Sequence, residues 1–403
     1  MSSNLLLPEH ISKTLPMVLM SVIRYCVIIG FVMKELLKKL IRAEPTGDKG
    51  ELTAAKVLAA YLSGCGVDCR IDKWQDCRAN LIAHIKSNGQ RDALLFGAHL
   101  DVVPAGGGEW KLPPFEGIEA DGRIFGRGAA DMKGALASLA AAIEEVVQSG
   151  AELKGDLILA ATAGEETDSC GAKRFIEADA ADLPKPAGVI VTEPTDFQVA
   201  SCHRGMLWLE VSTIGKSAHG SMPHLGINAI ELMNSLLSRL EDYQPTYSQH
   251  PLLGKCSVSI NQIHGGKAVN IVPDRCSVKI DIRTLPDQNH PGIISDLETI
   301  CAELKENDPR FEADIATIKS VPALQTDTEG EFASSFCQTI GASGTGKVDF
   351  ATDGPFFAES GAPIVIFGPG KPGACHQPNE YIDIADLDKG RQLYKKIILK
   401  FLT

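Results

Sequence analysis

The sequence predicts an α/β protein: a mostly parallel sheet flanked by helices, with a smaller inserted α+β two-layer domain. Between residues 50 and 200, strands that are almost wholly apolar alternate with helical segments, as buried parallel strands and their crossover helices do. In the middle of the chain, apolar and polar residues alternate along the strands instead, which predicts a sheet with one face against helices. At roughly 150 residues per domain, the 403 residues suffice for two or three domains.

Composition and charge exclude several classes of protein. Lys and Arg number 39 against 51 Asp and Glu, a net charge of −12, and 44% of the residues are hydrophobic. An acidic chain without a basic block is unsuited to nucleic acid, whose phosphates require neutralisation, so no nucleic-acid partner is expected. The 11 cysteines form neither CxxC pairs nor a disulfide framework, which favours a reducing compartment and a cytoplasmic location.

The N-terminal segment is the first irregularity. Residues 17–33 form an apolar run with Arg24 near its middle, and the run is short for a bilayer of about 30 Å. Three lysines follow at 34–39 without a small-residue cleavage site, which disfavours a signal peptide and would keep the rest of the chain in the cytoplasm. We expect residues 1–32 to be an extension outside the fold. A membrane anchor through 17–33 and a secretory signal are the alternatives.

The first domain is expected to start at residue 33 with a charged amphipathic helix. A second amphipathic helix over 51–66 ends in glycine, a common helix terminator. Further helices are predicted from about Asp131 to Gly150 and from Gly171 to Ala178. The predicted strands are 80–85, 91–103, 156–166, 186–195 and 362–370.

The second domain is predicted as an insertion over 207–319. Its pattern is strand, helix, strand, strand, helix, in the segments 207–215, 228–243, 256–266, 274–286 and 292–306. The full expected division is an extension, a first catalytic part, the insertion and a second catalytic part, at 1–32, 33–206, 207–319 and 320–403.

Polar side chains that suit a metal site lie at or just after the carboxyl ends of the predicted strands, or, for Asp131, at the start of a helix. They are His99, Asp101, Asp131, Glu165, Glu166, Glu193 and His376. Each of these residues taken alone could have a purely structural role, as Asp131 could as a helix N-cap. Functional groups of open parallel sheets, however, gather at the carboxyl ends of the strands. Imidazoles and carboxylates without a thiolate suit zinc, cobalt or manganese. One aspartate shared by two ions would give a two-metal hydrolytic centre.

These segments resemble the metallopeptidase family of acetylornithine deacetylase, succinyl-diaminopimelate desuccinylase and glutamate carboxypeptidase. The resemblance covers about residues 33–403 in order. It rests on HLD at 99–101, GRGAADMKG around Asp131, the Glu165-Glu166 pair, EPT at 193–195 and His376. It implies a zinc-exopeptidase-like catalytic domain, and a lid and dimerisation domain for the insertion.

The resemblance also implies roles for the polar residues. Two divalent ions, zinc or cobalt, would be bound, one by His99 and Glu193, the other by Glu166 and His376, with Asp131 bridging. Asp101 would orient His99 by accepting a hydrogen bond from its ring. Glu165 would be the general base, taking a proton from water and passing it to the leaving amine.

In the lid, His219 matches the family's histidine that stabilises the oxyanion. The resemblance implies a homodimer in which this histidine reaches the active site of the partner subunit. Asn270 and Arg283 match positions that bind the substrate carboxylate, where a guanidinium fork suits a planar anion. Thr352, Asp353 and Gly354 match a loop on the substrate side.

The expected function is therefore removal of an acyl group from a small N-acyl amino acid. Glu193 favours deacylase or carboxypeptidase members, because aminopeptidase members resemble this pattern with Asp there. The segments 375–381 and 202–205 look most like acetylornithine deacetylase, which would place the chain in arginine biosynthesis. Succinyl-diaminopimelate desuccinylase and a glutamate-releasing carboxypeptidase are the alternatives. A remote alternative is a catalytically silent binding protein on this fold. Such a protein would be expected to lack a metal ligand or the general base, and this sequence has all of them.

Overall fold

The computed structural model describes the backbone of residues 17–403 and the side chains of residues 28–403. The helices are α1 (Met17–Arg42), α2 (Leu52–Gly64), α3 (Gly134–Gln148), α4 (Cys170–Arg174), α5 (Ala229–Leu240), α6 (His290–Asn307), α7 (Glu331–Ile340), α8 (Gly354–Phe357) and α9 (Ile384–Leu402). The first strands are β1 (Asp68–Trp74), β2 (Arg78–Ile85), β3 (Ala93–His99), β4 (Ile118–Ala120), β5 (Arg123–Phe125), β6 (Leu157–Thr162), β7 (Pro186–Val191) and β8 (Ala200–His203). The later strands are β9 (Gly205–Ile214), β10 (Ser257–Gly265), β11 (Arg275–Thr284), β12 (Ala313–Val321), β13 (Leu324–Gln325), β14 (Gly346–Lys347), β15 (Ile364–Ile366) and β16 (Tyr381–Asp383).

The chain forms two compact units. The first comprises 1–163, 192–197 and 367–403, and the second comprises 164–191 and 198–366. Parallel strand pairs occur in both units, β3 with β6 in the first and β7 with β15 in the second. Helices accompany them, and the predicted α/β fold class is confirmed. The units divide the chain differently from the predicted domains, whose boundaries stay a prediction.

The first unit is built on strands that run in the order β1-β2-β6-β3. Every residue of β3 and of β6 is buried, as their solid apolar sequences predict. The strand β1 was not predicted, because its residues alternate between exposed and half-buried positions at the edge of the sheet. A small antiparallel sheet, β16-β5-β4, joins the C-terminal part of this unit to its middle.

The helix α1 runs through the predicted boundary at residue 33. Ile29 lies before that boundary and is buried, as are Met33 and Leu40 after it, because these apolar positions share one helical face. Residues 1–16 lie outside the described part of the chain, and so do the side chains of 17–27, which contain most of the candidate anchor. Within the described residues, no helix has both the length and the apolar character needed to cross a membrane.

Part of the second unit is a four-stranded antiparallel sheet in the order β10-β11-β9-β12. Alternate residues of β11 are buried, and together with β9 they pack against α5 and α6 in one apolar core. These are the elements predicted for the α+β insertion, with β12 added. That strand was missed because it lies at a sheet edge and most of its residues are exposed or half-buried.

The remainder of the second unit pairs β7, β15, β8 and β13 in that order, with β14 beside β8. Gly188 in β7 lies so close to the Phe332 ring of α7 that a Cβ there would be 2.1 Å from it. A larger residue would push this helix off the strand.

Candidate metal centre

His99 ends the buried strand β3, and only 2% of its surface is exposed. Its Nδ1 lies 3.0 Å from the backbone carbonyl of Asp101, which can only accept a hydrogen bond. That contact places the ring proton on Nδ1 and leaves Nε2 as the free donor atom for a metal. The Asp101 carboxylate is farther away, at 3.6 Å, because the chain turns after β3 and brings the carbonyl back to the ring. Orientation by the carboxylate stays a prediction.

Asp131 lies between the imidazoles of His99 and His376. Its Oδ1 is 3.1 Å from Nε2 of His99, and its Oδ2 is 3.3 Å from Nε2 of His376. The residue sits in the turn that leads into α3, where its backbone N–H donates to Glu380 at 3.1 Å. The two oxygens of one carboxylate therefore face two different histidines, as a bridging ligand requires.

Glu193 follows β7 by two residues and is held through its neighbour. The N–H and the hydroxyl of Thr192 both donate to the carbonyl of Gly97, at 2.9 and 3.0 Å. This brings Oε2 of Glu193 to 3.8 Å from Nε2 of His99. Gly97 and Thr192 both lie near the carboxyl ends of their strands, where the sequence predicts the site.

One atom from each of His99, Asp131 and Glu193 lies within 4.8 Å of the others. A nitrogen donor with two carboxylates matches the ligands of a catalytic zinc or cobalt site. The Glu193 carboxylate is buried and that of Asp131 is largely so, and a buried anion is costly unless a cation is near it. The residues of this cluster therefore fit a divalent ion. His376, on the other side of Asp131, is half exposed and could hold a second ion.

The carboxylates and imidazoles of the cluster shift the pKa values of one another. Burial disfavours a charged His99, but the Glu193, Asp101 and Asp131 carboxylates outweigh it and hold the pKa of His99 well above its usual value. Burial likewise opposes ionisation of Asp131, but His376 and His99 outweigh it and hold the pKa of Asp131 below its usual range. The carboxylates around His99 therefore favour a positive charge at this position.

Glu165 and Glu166 belong to the second unit and follow β6 by three and four residues. They lie on a tight turn in which the carbonyl of Gly164 accepts from the N–H groups of the residues that follow the pair. The backbone carbonyl of Glu165 accepts a hydrogen bond of 2.8 Å from Lys319. Both side chains are half-buried. Their roles as base and ligand stay predictions.

The second unit brings His219 and Asn270 together. The N–H of Gly220 donates to the carbonyl of Asn270 at 2.8 Å, and Nδ1 of the His219 ring lies 2.7 Å from the hydroxyl of Ser221. Both His219 and Asn270 are exposed. The two predicted lid residues therefore share one short stretch of surface.

Arg283 lies on the face of β11 that points away from the helices. Its Nη2 donates a hydrogen bond of 3.1 Å to Oδ2 of Asp281, and its Nε forms an ion-pair contact of 2.9 Å with Oδ1. This pairing shows that the fork is positioned to hold a planar carboxylate. A substrate would have to displace Asp281 or share the guanidinium with it.

The predicted loop Thr352-Asp353-Gly354 is buried. The hydroxyl of Thr352 accepts from the N–H of Gly354 at 3.0 Å and lies 3.1 Å from Nε2 of His203. Because Nδ1 of His203 faces the carbonyl of Arg204 at 2.9 Å, the Thr352 hydroxyl donates to Nε2. Thr352 thus anchors this loop, and direct contact with substrate stays a prediction.

Sequence reasoning missed Glu380 and Arg127. They form a buried ion pair, with 2.6 Å between Nη1 of Arg127 and Oε2 of Glu380, and Glu380 also binds the backbone of Asp131. The available signal was an acid four residues after His376 and an arginine four before Asp131. Neither spacing identifies a partner more than 200 residues away.

Known proteins resemble this chain over most of its length. The family model described as "Peptidase family M20/M25/M40" matches residues 95–400. A probable succinyl-diaminopimelate desuccinylase of Staphylococcus epidermidis is 31% identical, covering 86% of this chain and 92% of its own. An acetylornithine deacetylase of Proteus mirabilis is 30% identical, covering 88% and 91%.

Solved structures of the same family share the fold. An M20 family metallo-carboxypeptidase of Sulfolobus solfataricus superposes with a TM-score of 0.75 at 19% identity, over 92% of this chain and 98% of that one. The YXEP protein of Bacillus subtilis, described as a dinuclear metal-binding peptidase, gives a TM-score of 0.68 at 17% identity, over 92% and 98%. The resemblance seen in the sequence and the expected enzyme class, a metal-dependent hydrolase of amide bonds, are thereby confirmed: the chain belongs to peptidase family M20/M25/M40.

Proposed function

We propose that this chain is a two-metal hydrolase that removes the acyl group from an N-acyl amino acid, with acetylornithine as its substrate. The observation that carries the proposal is the position of Asp131. Its two carboxylate oxygens lie 3.1 and 3.3 Å from the Nε2 atoms of two different histidines, His99 and His376. A single metal would need only one of these contacts, whereas a bridged pair of metals needs both.

In this proposal, His99 and Glu193 hold one zinc or cobalt ion, Glu166 and His376 hold the other, and Asp131 is shared. When bound, two such ions polarise the scissile carbonyl and lower the pKa of a water molecule. The Bacillus subtilis relative named as dinuclear supports the count of two. The short distances among His99, Asp131 and Glu193 support the first ligand set.

The chain's own residues supply proton transfer and charge stabilisation. Glu165 takes a proton from the attacking water and gives it to the leaving amine. His219 donates a hydrogen bond to the oxygen that becomes negative as the carbonyl is attacked. Its contact with Ser221 leaves Nε2 as the ring atom available for this bond.

Recognition of the amino-acid part is assigned to Asn270 and Arg283. The Arg283 guanidinium holds the Asp281 carboxylate with one hydrogen bond and one ion-pair contact, and such a planar cation suits a substrate carboxylate. The Thr352-Asp353-Gly354 loop, fixed by His203, forms the substrate side of the site.

The choice of acyl group depends on finer features. The segments 375–381 and 202–205 and the relatives named acetylornithine deacetylase support acetylornithine, and with it a role in arginine biosynthesis. Glu193 favours a deacylase or a carboxypeptidase. The Staphylococcus epidermidis relative, at 31% identity, supports succinyl-diaminopimelate as a second candidate. A glutamate carboxypeptidase is the remaining alternative.

The active form in this proposal is a homodimer joined through the lid. The strand β10 is at the edge of its sheet, and edge strands pair readily with another chain. Ile260 and Ile263 on β10 and Ile230 on α5 are exposed, which provides an apolar contact beside the edge. His219 would then act in the active site of the partner subunit.

A cytoplasmic location completes the proposal. The cysteines of the described residues are free thiols, which suits a reducing compartment. Association with a membrane would require insertion of the apolar run at 17–33.

Turnover on a substrate panel tests the proposal. The metal-loaded protein is incubated with acetylornithine, succinyl-diaminopimelate and acyl-glutamates, and release of the free amine is measured. Acetylornithine should give the highest kcat/KM. Cleavage of another member alone would reject the substrate but keep the chemistry, and no cleavage of any amide in the panel would favour a silent binding protein.

A further inference from the structure

The side chain of Glu380 connects two parts of the metal centre. It is 1% exposed, and its two oxygens have different partners. Oε1 accepts from the backbone N–H groups of Ala130 and Asp131, at 3.0 and 3.1 Å, while Oε2 accepts from Nη1 of Arg127 at 2.6 Å. A carboxylate that binds successive N–H groups fixes that peptide segment, and here the segment carries the bridging aspartate.

Arg127 contacts both Glu380 and the loop that carries His376. Its guanidinium is buried and lies over the Trp110 ring at 5.2 Å. Nη2 is 3.5 Å from the carbonyl of His376, and Nη1 is at the same distance from the carbonyl of Gln377. These are long contacts, but they place one cation between Glu380 and the backbone of His376.

The loop around His376 needs such support. His376 and Asn379 both have φ of +61°, in the left-handed region that non-glycine residues adopt at a cost of about 1 kcal/mol or more. Asn379 is fixed by a hydrogen bond of 2.6 Å from the N–H of Lys111 and by one of 3.2 Å to the carbonyl of Glu109. The backbone carbonyl of His376 contacts Arg127, and its ring contacts Asp131.

We infer that the Arg127–Glu380 pair is a positioning device that sets the spacing between the bridging carboxylate of Asp131 and the imidazole of His376, and thereby the affinity for the second metal ion. The pair touches neither substrate nor metal in this scheme. It acts by holding two backbone segments that are about 250 residues apart in sequence. The inference rests on the proposed two-metal centre and adds to it the residues that determine its geometry.

The test is a titration of chelator-treated protein with Co²⁺. Binding is measured by calorimetry and by the visible absorption of the bound cobalt. In Glu380→Gln, the amide oxygen can serve either the N–H groups or Arg127, and the amide NH₂ must then face a donor. We expect the second equivalent of Co²⁺ to bind at least tenfold more weakly than in the wild type, with an altered absorption spectrum. The KM for substrate should change less than kcat.

Arg127→Met is the second variant, because it leaves Glu380 on the N–H groups of Ala130 and Asp131 and removes only the connection to His376. It should weaken the second equivalent in the same way. Glu145→Gln is the matched control: it breaks a buried ion pair with Arg391 that joins α3 to α9 and touches no candidate ligand. The control should lower Tm and leave both Co²⁺ affinities within twofold of the wild type.

The outcomes separate this inference from the proposed function. If the wild type binds two equivalents and neither variant weakens the second one more than Glu145→Gln does, the pair is merely structural and the inference is wrong. If the wild type binds fewer than two equivalents, the two-metal centre fails and the inference with it. Should Glu380→Gln not fold by circular dichroism, Arg127→Met alone decides by the same comparison.

Discussion

Asp131 and His99 show how much of the proposed chemistry depends on single side chains with little exposure to solvent. The aspartate faces two imidazoles, and His99 has one nitrogen committed to a backbone carbonyl and the other directed at carboxylates. In such a site each donor has one orientation, which is what a metal centre of fixed geometry requires.

Replacing Glu165 tests the general base. Glu165→Gln keeps the size of the side chain but cannot accept a proton, so we expect kcat to fall by about 10²- to 10⁴-fold while the metal content is unchanged. Steady-state kinetics with metal analysis of the same sample measures both. Glu177→Gln, an exposed residue of the same unit, is the control. Wild-type turnover by Glu165→Gln would remove this residue as the base.

His203 gives a pH-dependent prediction for stability. Burial lowers the pKa of His203 from 6.5 to about 4, so the folded state keeps the ring neutral where the unfolded state protonates it. The stability present above pH 6.5 is therefore lost as the pH falls towards 4, by about 1.4 kcal/mol per unit. His203→Gln removes this titration.

The measurement is urea denaturation of the metal-free protein at several pH values between 4 and 7. The wild type should lose stability with falling pH more steeply than His203→Gln. His290, whose pKa burial also lowers to about 4, is present in both proteins and cancels in the comparison. Parallel pH profiles would contradict a neutral, buried His203.

Among the elements, strands buried on both faces were predictable, whereas the edge strands β1 and β12 were not. The continuous apolar runs of β3 and β6 can be recognised in the sequence. The polar residues at their ends, including His99, can be recognised with them. The edge strands β1 and β12 mix polar and apolar residues without a clear period. Glu380 was missed for another reason: its partners are backbone N–H groups about 250 residues away, and only the folded chain brings them near.

The edge strand β10 carries the prediction on dimerisation. Ile263 is 55% exposed there, and a charged residue on an edge opposes pairing with another strand. Ile263→Lys should weaken the dimer at least tenfold, as measured by sedimentation equilibrium. Ile318→Lys, on the opposite edge strand β12 and 43% exposed, should leave it intact. Equal effects of the two changes, or a wild type that is monomeric, would reject the β10 interface.

At the scale of the whole molecule, the chain contains parallel strand pairs with polar residues at their ends. It also contains an antiparallel sheet in the segment that holds the predicted lid residues. The acidic excess of −12 includes Glu193, which is buried, and Asp131, whose side chain is 14% exposed. Buried carboxylates at such close range are destabilising without cations. Metal binding should therefore raise the stability of the folded protein as well as its activity.

The most direct test of a two-metal hydrolase is the activity of chelator-treated protein as zinc or cobalt is returned in measured equivalents per chain. Hydrolysis of the preferred N-acyl amino acid should be near zero without metal. It should continue to rise beyond the first equivalent and reach its plateau at about two. Full turnover in the presence of chelator, or a plateau after a single equivalent, would contradict a centre in which Asp131 bridges two ions.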